Sequence, residues 1–91
     1  MPVPSGTQPA PGPLARAVSA QVRALMAERR MTAQSLAEAA GLSRSYLGKR
    51  LRDESSFTVN DIDAICTALD EPLETFSMDV VRRRKREKAQ E

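Results

Sequence analysis

Arg44, Lys49, Arg50 and Arg52 stand within eleven residues, 42–52, that hold no acidic side chain. Uncompensated guanidinium and ammonium groups at this density suit phosphate oxygens, which they neutralise, and guanine O6 and N7, which arginine grips with two parallel bonds. On a helix at 100° per residue, Arg44, Ser45, Gly48, Lys49 and Arg52 span an arc of about 140°. This face is presented away from Leu47, which with Leu51, at i and i+4, forms the inner edge of the helix. Ser45 can donate to or accept from a base edge or a phosphate. Gly48 costs about 1 kcal/mol of helix propensity relative to alanine, and its bare backbone would allow close approach to a groove. Arg44 falls at the edge of the arc nearest Leu51. Arg50 is a further candidate for contact with the nucleic-acid backbone. Tyr46 reads either as an aromatic at the core edge or as a contact to a thymine methyl or a phosphate.

Positioning such an arc takes two short helices and a tight turn. The stretch TAQSLAEAAGLSRSYLGKRL, residues 32–51, supplies both. Thr32 is placed to cap a helix over 33–40, and Gly41 to stop it. Ser43 then caps a helix that runs to about residue 52. A helix over 14–30 precedes the pair, with an apolar stripe of Val18, Val22, Leu25 and Met26. A fourth opens at Thr58-Val59-Asn60-Asp61, a capping box with aspartate in the usual glutamate place, and carries Ile62, Ile65, Cys66 and Leu69. Pro72 suits the first position of a fifth helix, whose apolar face is Leu73, Phe76 and Val80 and stops at Val81. Gln34, in the first turn of the second helix, and Asn60, at the start of the fourth, are candidate phosphate holders. Each could equally be part of a cap.

The flanks differ from this middle. Residues 1–13 hold five of the six prolines and no charged side chain, and read as a disordered leader. An arm that embraces DNA would need positive charge, which this segment lacks apart from its amino terminus. Residues 53–79 carry eight acidic and no basic side chains; residues 80–91 carry six basic and two acidic. The basic run Arg82-Arg83-Arg84-Lys85-Arg86 has no apolar residue to bury. It could extend the last helix along phosphates, fold against the acidic region, or stay solvated. The organisation expected is therefore a leader over 1–13, a domain over 14–81 and a basic tail over 82–91.

Composition narrows the function. Histidine is absent and Cys66 is the lone cysteine, so Ser–His and Cys–His pairs, ordinary zinc sites and an intrachain disulfide are excluded. Cys66 in a helical pattern reads as a small core residue. There is no nucleotide-binding loop, so an enzyme is not expected, nor a metal, a cofactor or a small-molecule ligand. No apolar run approaches membrane-spanning length, and no signal peptide is evident. The expected location is cytoplasmic, on the nucleoid.

Residues 21–76 resemble the helix-turn-helix family of phage lambda repressor and Cro. The matching residues are Leu36-Ala37, Gly41-Leu42-Ser43-Arg44, Leu47, Phe57-Thr58, Ile62, Ile65 and Ala68-Leu69. The resemblance implies an all-α, compact five-helix domain that binds double-stranded operator DNA, usually as a homodimer. It implies that Arg44, Ser45 and Lys49 face bases and that a residue near Gln34 holds the backbone. The sequence departs from the family at Arg50, where many relatives are apolar and Leu51 takes over the packing, and at Asp53, where glycine is common. The expected function is a transcriptional regulator, a phage or prophage repressor or Cro-like protein acting by operator occlusion. The alternative is an antitoxin-type or accessory module that works through a protein partner. The dimer face expected is the fifth helix, unless Leu73, Phe76 and Val80 complete the monomer core instead.

Overall fold

The computed structural model describes residues 9–89. Most of the proline-rich leader, residues 1–8, and the last two residues of the tail lie outside the described residues. The described chain holds five helices: α1 Pro13–Glu28, α2 Ala33–Ala40, α3 Arg44–Leu51, α4 Val59–Ala68 and α5 Leu73–Ala89.

Three helix starts follow side-chain chemistry. Thr32 accepts from Ser35 N, and Ser43 from Tyr46 N, each at 3.0 Å. Thr58 and Asp61 form the reciprocal capping box: Thr58 N donates to Asp61 Oδ2 at 2.9 Å, and Asp61 N to Thr58 Oγ1 at 3.1 Å. Helix α1 starts without a side-chain cap, on Pro13, whose missing N–H costs nothing there.

The helix stops are less regular in sequence than in geometry. After α1, α2, α3 and α4 the chain passes through the left-handed region at Arg30 (φ 53°), Gly41 (φ 72°), Asp53 (φ 60°) and Asp70 (φ 51°). In each case the next N–H reaches back to a carbonyl five residues earlier: Met31 to Met26, Leu42 to Ala37, Glu54 to Lys49 and Glu71 to Cys66, all at 2.8–2.9 Å. This bond satisfies carbonyls that the helix leaves open. Only one of the four positions is glycine. The expected end of the first helix at residue 30 is accordingly two residues late, because Arg30 has already left α-helical geometry.

The core joins all five helices: Ala17, Val22 and Leu25 from α1, Leu36 and Ala37 from α2, Leu47 from α3, Ile65 and Cys66 from α4 with Leu69 just beyond it, and Phe76 and Val80 from α5. Val18 and Met26, expected in the main stripe of α1, are half-buried, whereas Ser19 and Gln21 are buried. Helix α1 is covered on more than one side, by α5 and by α3, so its buried arc is wider than a single apolar stripe. Phe76 and Val80 complete the monomer core, while Leu73 remains 54% exposed. The fifth helix therefore does not offer Leu73, Phe76 and Val80 as one free face. Cys66 is buried, and burial, with the charges of Glu71 and Asp63, pushes its thiol pKa up.

The basic run does not end the last helix. Helix α5 continues through it, and polar pairs dock it on α1 rather than on the acidic α4 region. Arg83 Nε donates to Gln21 Oε1 at 2.6 Å, Gln21 Nε2 donates to Asp79 Oδ2 at 3.3 Å, and Arg16 pairs with Glu87 at 2.8 Å.

Candidate nucleic-acid interface

Helix α3 is aimed by three constraints. Ser43 fixes its start, Leu47 is fully buried, and Leu51 packs half-buried at the core edge. With that side inward, Arg44, Ser45, Lys49 and Arg52 are exposed together. Gly48 lies beneath them and is itself buried. A Cβ placed on Gly48 would sit 2.9 Å from Arg52 Nη1 and 3.5 Å from Arg44 Nη1, so two guanidinium groups converge over this bare step of backbone. Like charges gathered on one face repel, and an acidic neighbour offsets part of this at Arg52, whose Nε donates to Glu54 Oε2 at 2.5 Å. That hydrogen bond holds the Glu54 carboxyl below its usual pKa, and the charge of Lys49 adds to the effect.

Arg50 does not join the arc. Its guanidinium lies 3.4 Å over the Tyr46 ring, Nη1 donates to Tyr46 O at 3.1 Å, and Nε is buried without a hydrogen-bond partner. Tyr46 is half-buried beneath it, and its hydroxyl donates to Asp61 Oδ2 at 2.8 Å. The structure thus places Tyr46 at the core edge, as a strut between α3 and the start of α4. Burial first, then the Asp61 hydrogen bond and charge, raise the phenol pKa.

Gln34 is exposed in the first turn of α2, with Nε2 donating to Glu38 Oε1 at 2.8 Å. Asn60 is exposed in the first turn of α4 beside Val59, which is 87% exposed. In the tail, Arg82, Arg84, Lys85 and Arg86 are exposed, and Arg82 reaches Asp79 at 3.4 Å. Arg83 is the exception, turned onto α1 by Gln21. Arg84 stands at one side of an open apolar groove of about 540 Å³ that also involves Leu14, Val18, Phe57, Val59 and Ile62.

Residue types and spacing did not reveal three groups near α3. Glu54 sits at the end of the basic arc but counted only as part of an acidic stretch. Asp61 supports Tyr46 as well as its own cap. Ser19 and Arg23, on α1, reach the end of α3 by hydrogen bonds to Asp53, 34 residues on, and to Leu51 O, 28 residues on, and Ser19 is only 1% exposed. The one available signal was Asp53, standing where the family often has glycine.

Among the described residues no helix is long and apolar enough to cross a membrane, and no group of three or more acidic, cysteine or histidine side chains is placed to hold a metal ion. The solved structures most informative for comparison share the fold. The clp gene regulator ClgR from Corynebacterium glutamicum superposes with a TM-score of 0.77 at 24% identity, over 90% of this chain and 86% of that one. The restriction-modification controller protein C.Esp1396I, solved as a tetramer on its natural 35-base-pair operator, gives 0.74 at 22% identity, over 81% and 96%. In sequence, the HTH-type transcriptional regulator SutR of Escherichia coli (strain K12) is 41% identical over 63 residues, 69% of this chain. The chain spans 35% of that regulator's length. The sequence pattern of the Cro/C1-type helix-turn-helix DNA-binding domain matches residues 21–77. That span takes in α2, the Gly41 turn and α3, and the chain belongs to the Cro/C1-type helix-turn-helix DNA-binding domain family.

Proposed function

We propose that this protein is a sequence-specific transcriptional regulator that lays α3 in the major groove of double-stranded DNA and represses by occluding its operator, as a repressor or Cro-like protein does. The observation that carries this reading is the outward arc of Arg44, Ser45, Lys49 and Arg52 on the second helix of the motif, backed by buried Leu47. Arg44 and Ser45, in the first turn, reach base edges; Lys49 reads further along the groove. Gln34 and Asn60, at the starts of α2 and α4, take phosphates on either side, and Arg52 exchanges Glu54 for a phosphate. Arg84, Lys85 and Arg86 add contacts that carry no base information.

A lone domain of this size buries too little surface to compete with nonspecific sites, so the reading includes a homodimer with α3 helices about 34 Å apart. The face assigned to the second copy is the groove between α1, α4 and α5. It continues past Leu14, Val18 and Ile62 to exposed Val81. The oligomer formed by C.Esp1396I on its operator supports such an assembly. The same groove favours the alternative, an accessory module held by a protein partner. Selection of bound duplexes from random DNA tests the function. A palindromic consensus bound by two chains is expected; no preference over random duplex would reject it, and a one-to-one complex on an asymmetric site would reject the dimer.

A further inference from the structure

The far end of α3 is tied to α1 by polar atoms rather than by packing alone. Ser19 Oγ donates to Asp53 Oδ1 at 2.5 Å; Arg16 O is a second acceptor at 3.0 Å, and a hydroxyl has only one proton for the two. The shorter bond, to a charged acceptor, is the stronger. Arg23 Nη1 donates to Leu51 O at 2.8 Å and to Ser19 Oγ at 3.3 Å, and lies 3.6 Å from Asp53 Oδ2. One guanidinium thus holds the last helical carbonyl, the buried serine and the aspartate together. Asp53 occupies the left-handed position after α3, where glycine would be less strained. Its carboxylate offers what glycine cannot, a handle for α1.

We propose that Asp53, held by Ser19 and Arg23, is a positioning residue that sets the tilt of α3 and so the base preference at the position read by Lys49. The inference rests on the reading of α3 as the groove helix. Tyr46 and Asp61 tether the N-terminal half of α3 to α4, and the Asp53 clamp tethers the C-terminal end to α1. Released at that end, the last turn swings about buried Leu47. A shift of about 1 Å is enough to spoil a hydrogen bond to a base edge while leaving phosphate attraction nearly unchanged.

Asp53→Gly separates the two roles of this residue. It relaxes the backbone and removes the clamp. The test measures affinity of the full-length chain for its selected duplex and for every single-base variant of it. The position read by Lys49 is identified as the one that Lys49→Ala relaxes. Asp53→Gly is expected to cut discrimination at that position by about three- to tenfold. Preference at the position relaxed by Arg44→Ala, the salt dependence and the thermal midpoint should all hold. Ser19→Ala should reproduce the effect. Asp53→Asn, which keeps an acceptor for Ser19 and tolerates positive φ, should restore discrimination. Full discrimination in Asp53→Gly, a uniform loss at every position, or no rescue by asparagine overturns the clamp. A wild-type chain without sequence preference overturns the reading of α3 itself and the clamp with it.

Discussion

The Tyr46 hydroxyl donates to Asp61 Oδ2 at 2.8 Å, joining α3 to the capping box that starts α4. The same carboxylate oxygen accepts from Thr58 N at 2.9 Å, so the cap and the strut share one atom. Tyr46→Phe leaves the cap intact. It should cost about 0.5–1.5 kcal/mol, the net worth of one hydrogen bond, measured by denaturant unfolding. A larger loss would show that Asp61 cannot hold the cap alone.

The same pair predicts an alkaline transition. The Tyr46 phenol has a pKa raised above 10.0 by burial and by Asp61. The unfolded chain therefore loses this proton first as pH rises. The pair's contribution to stability is full below pH 10 and disappears as pH climbs through the folded value. Tyr46 is the only tyrosine and there is no tryptophan, so ultraviolet absorbance of tyrosinate reports this one group. Titration at or below the ordinary tyrosine value in the folded chain would contradict the assignment. So would an alkaline loss of stability that Tyr46→Phe shares in full.

Arg30 adopts φ 53° without a short side chain to ease it. A non-glycine residue there carries roughly 1–2 kcal/mol of steric cost, offset in part by the greater freedom glycine has when unfolded. Arg30→Gly should stabilise the fold by about 0.5–1 kcal/mol in chemical denaturation. Asp70→Gly should gain less, since aspartate visits this region more readily. A destabilised Arg30→Gly would place an unseen contact on the arginine side chain.

Base contacts and phosphate contacts should separate by mutation. Arg44→Ala and Lys49→Ala should each lose about 1–3 kcal/mol on the selected duplex and relax preference at one position. Lys85→Ala should weaken all duplexes alike. Arg83 is a poor test of the tail because Gln21 holds it. A changed base preference in Lys85→Ala with none in Lys49→Ala would move the reading surface to α5.

Arg52 is paired with Glu54 in the free chain, and the proposed function has a phosphate replace that carboxylate. Glu54→Gln should raise affinity for random duplex about two- to fivefold at low salt and steepen the salt dependence by up to about 0.9, one additional phosphate contact. Unchanged binding would show that the Arg52–Glu54 pair survives on DNA.

The sequence was most legible where a local residue type dictates local geometry. Thr32, Ser43 and Thr58 marked helix starts, Gly41 marked the turn, and Leu47 fixed which side of α3 faces in. Left-handed stops at Arg30, Asp53 and Asp70 were not legible, because the closing bond is backbone-only and leaves no residue signature. Ser19 and Gln21 looked like ordinary polar positions on α1. Their partners, Asp53 and Arg83, are distant in the chain, so only the tertiary arrangement explains their burial. Arg50 was counted with the other cations because charge is readable and direction is not. Its stacking on Tyr46 depends on where Asp61 holds that ring.

The polar seam joining α1 to the far half of α5 has a dynamic consequence. Beyond Val80 the contact passes from apolar side chains to Gln21–Arg83 and Arg16–Glu87, so among the described side chains, which run to Glu87, little apolar area anchors this part of α5. Such a segment opens without unfolding the rest. Its amide hydrogens should exchange with solvent deuterium far faster than those of Ile65 or Val22, and faster still as added salt screens the ion pair. The end of α5 is therefore expected to open as a local unit while the domain beneath it stays folded.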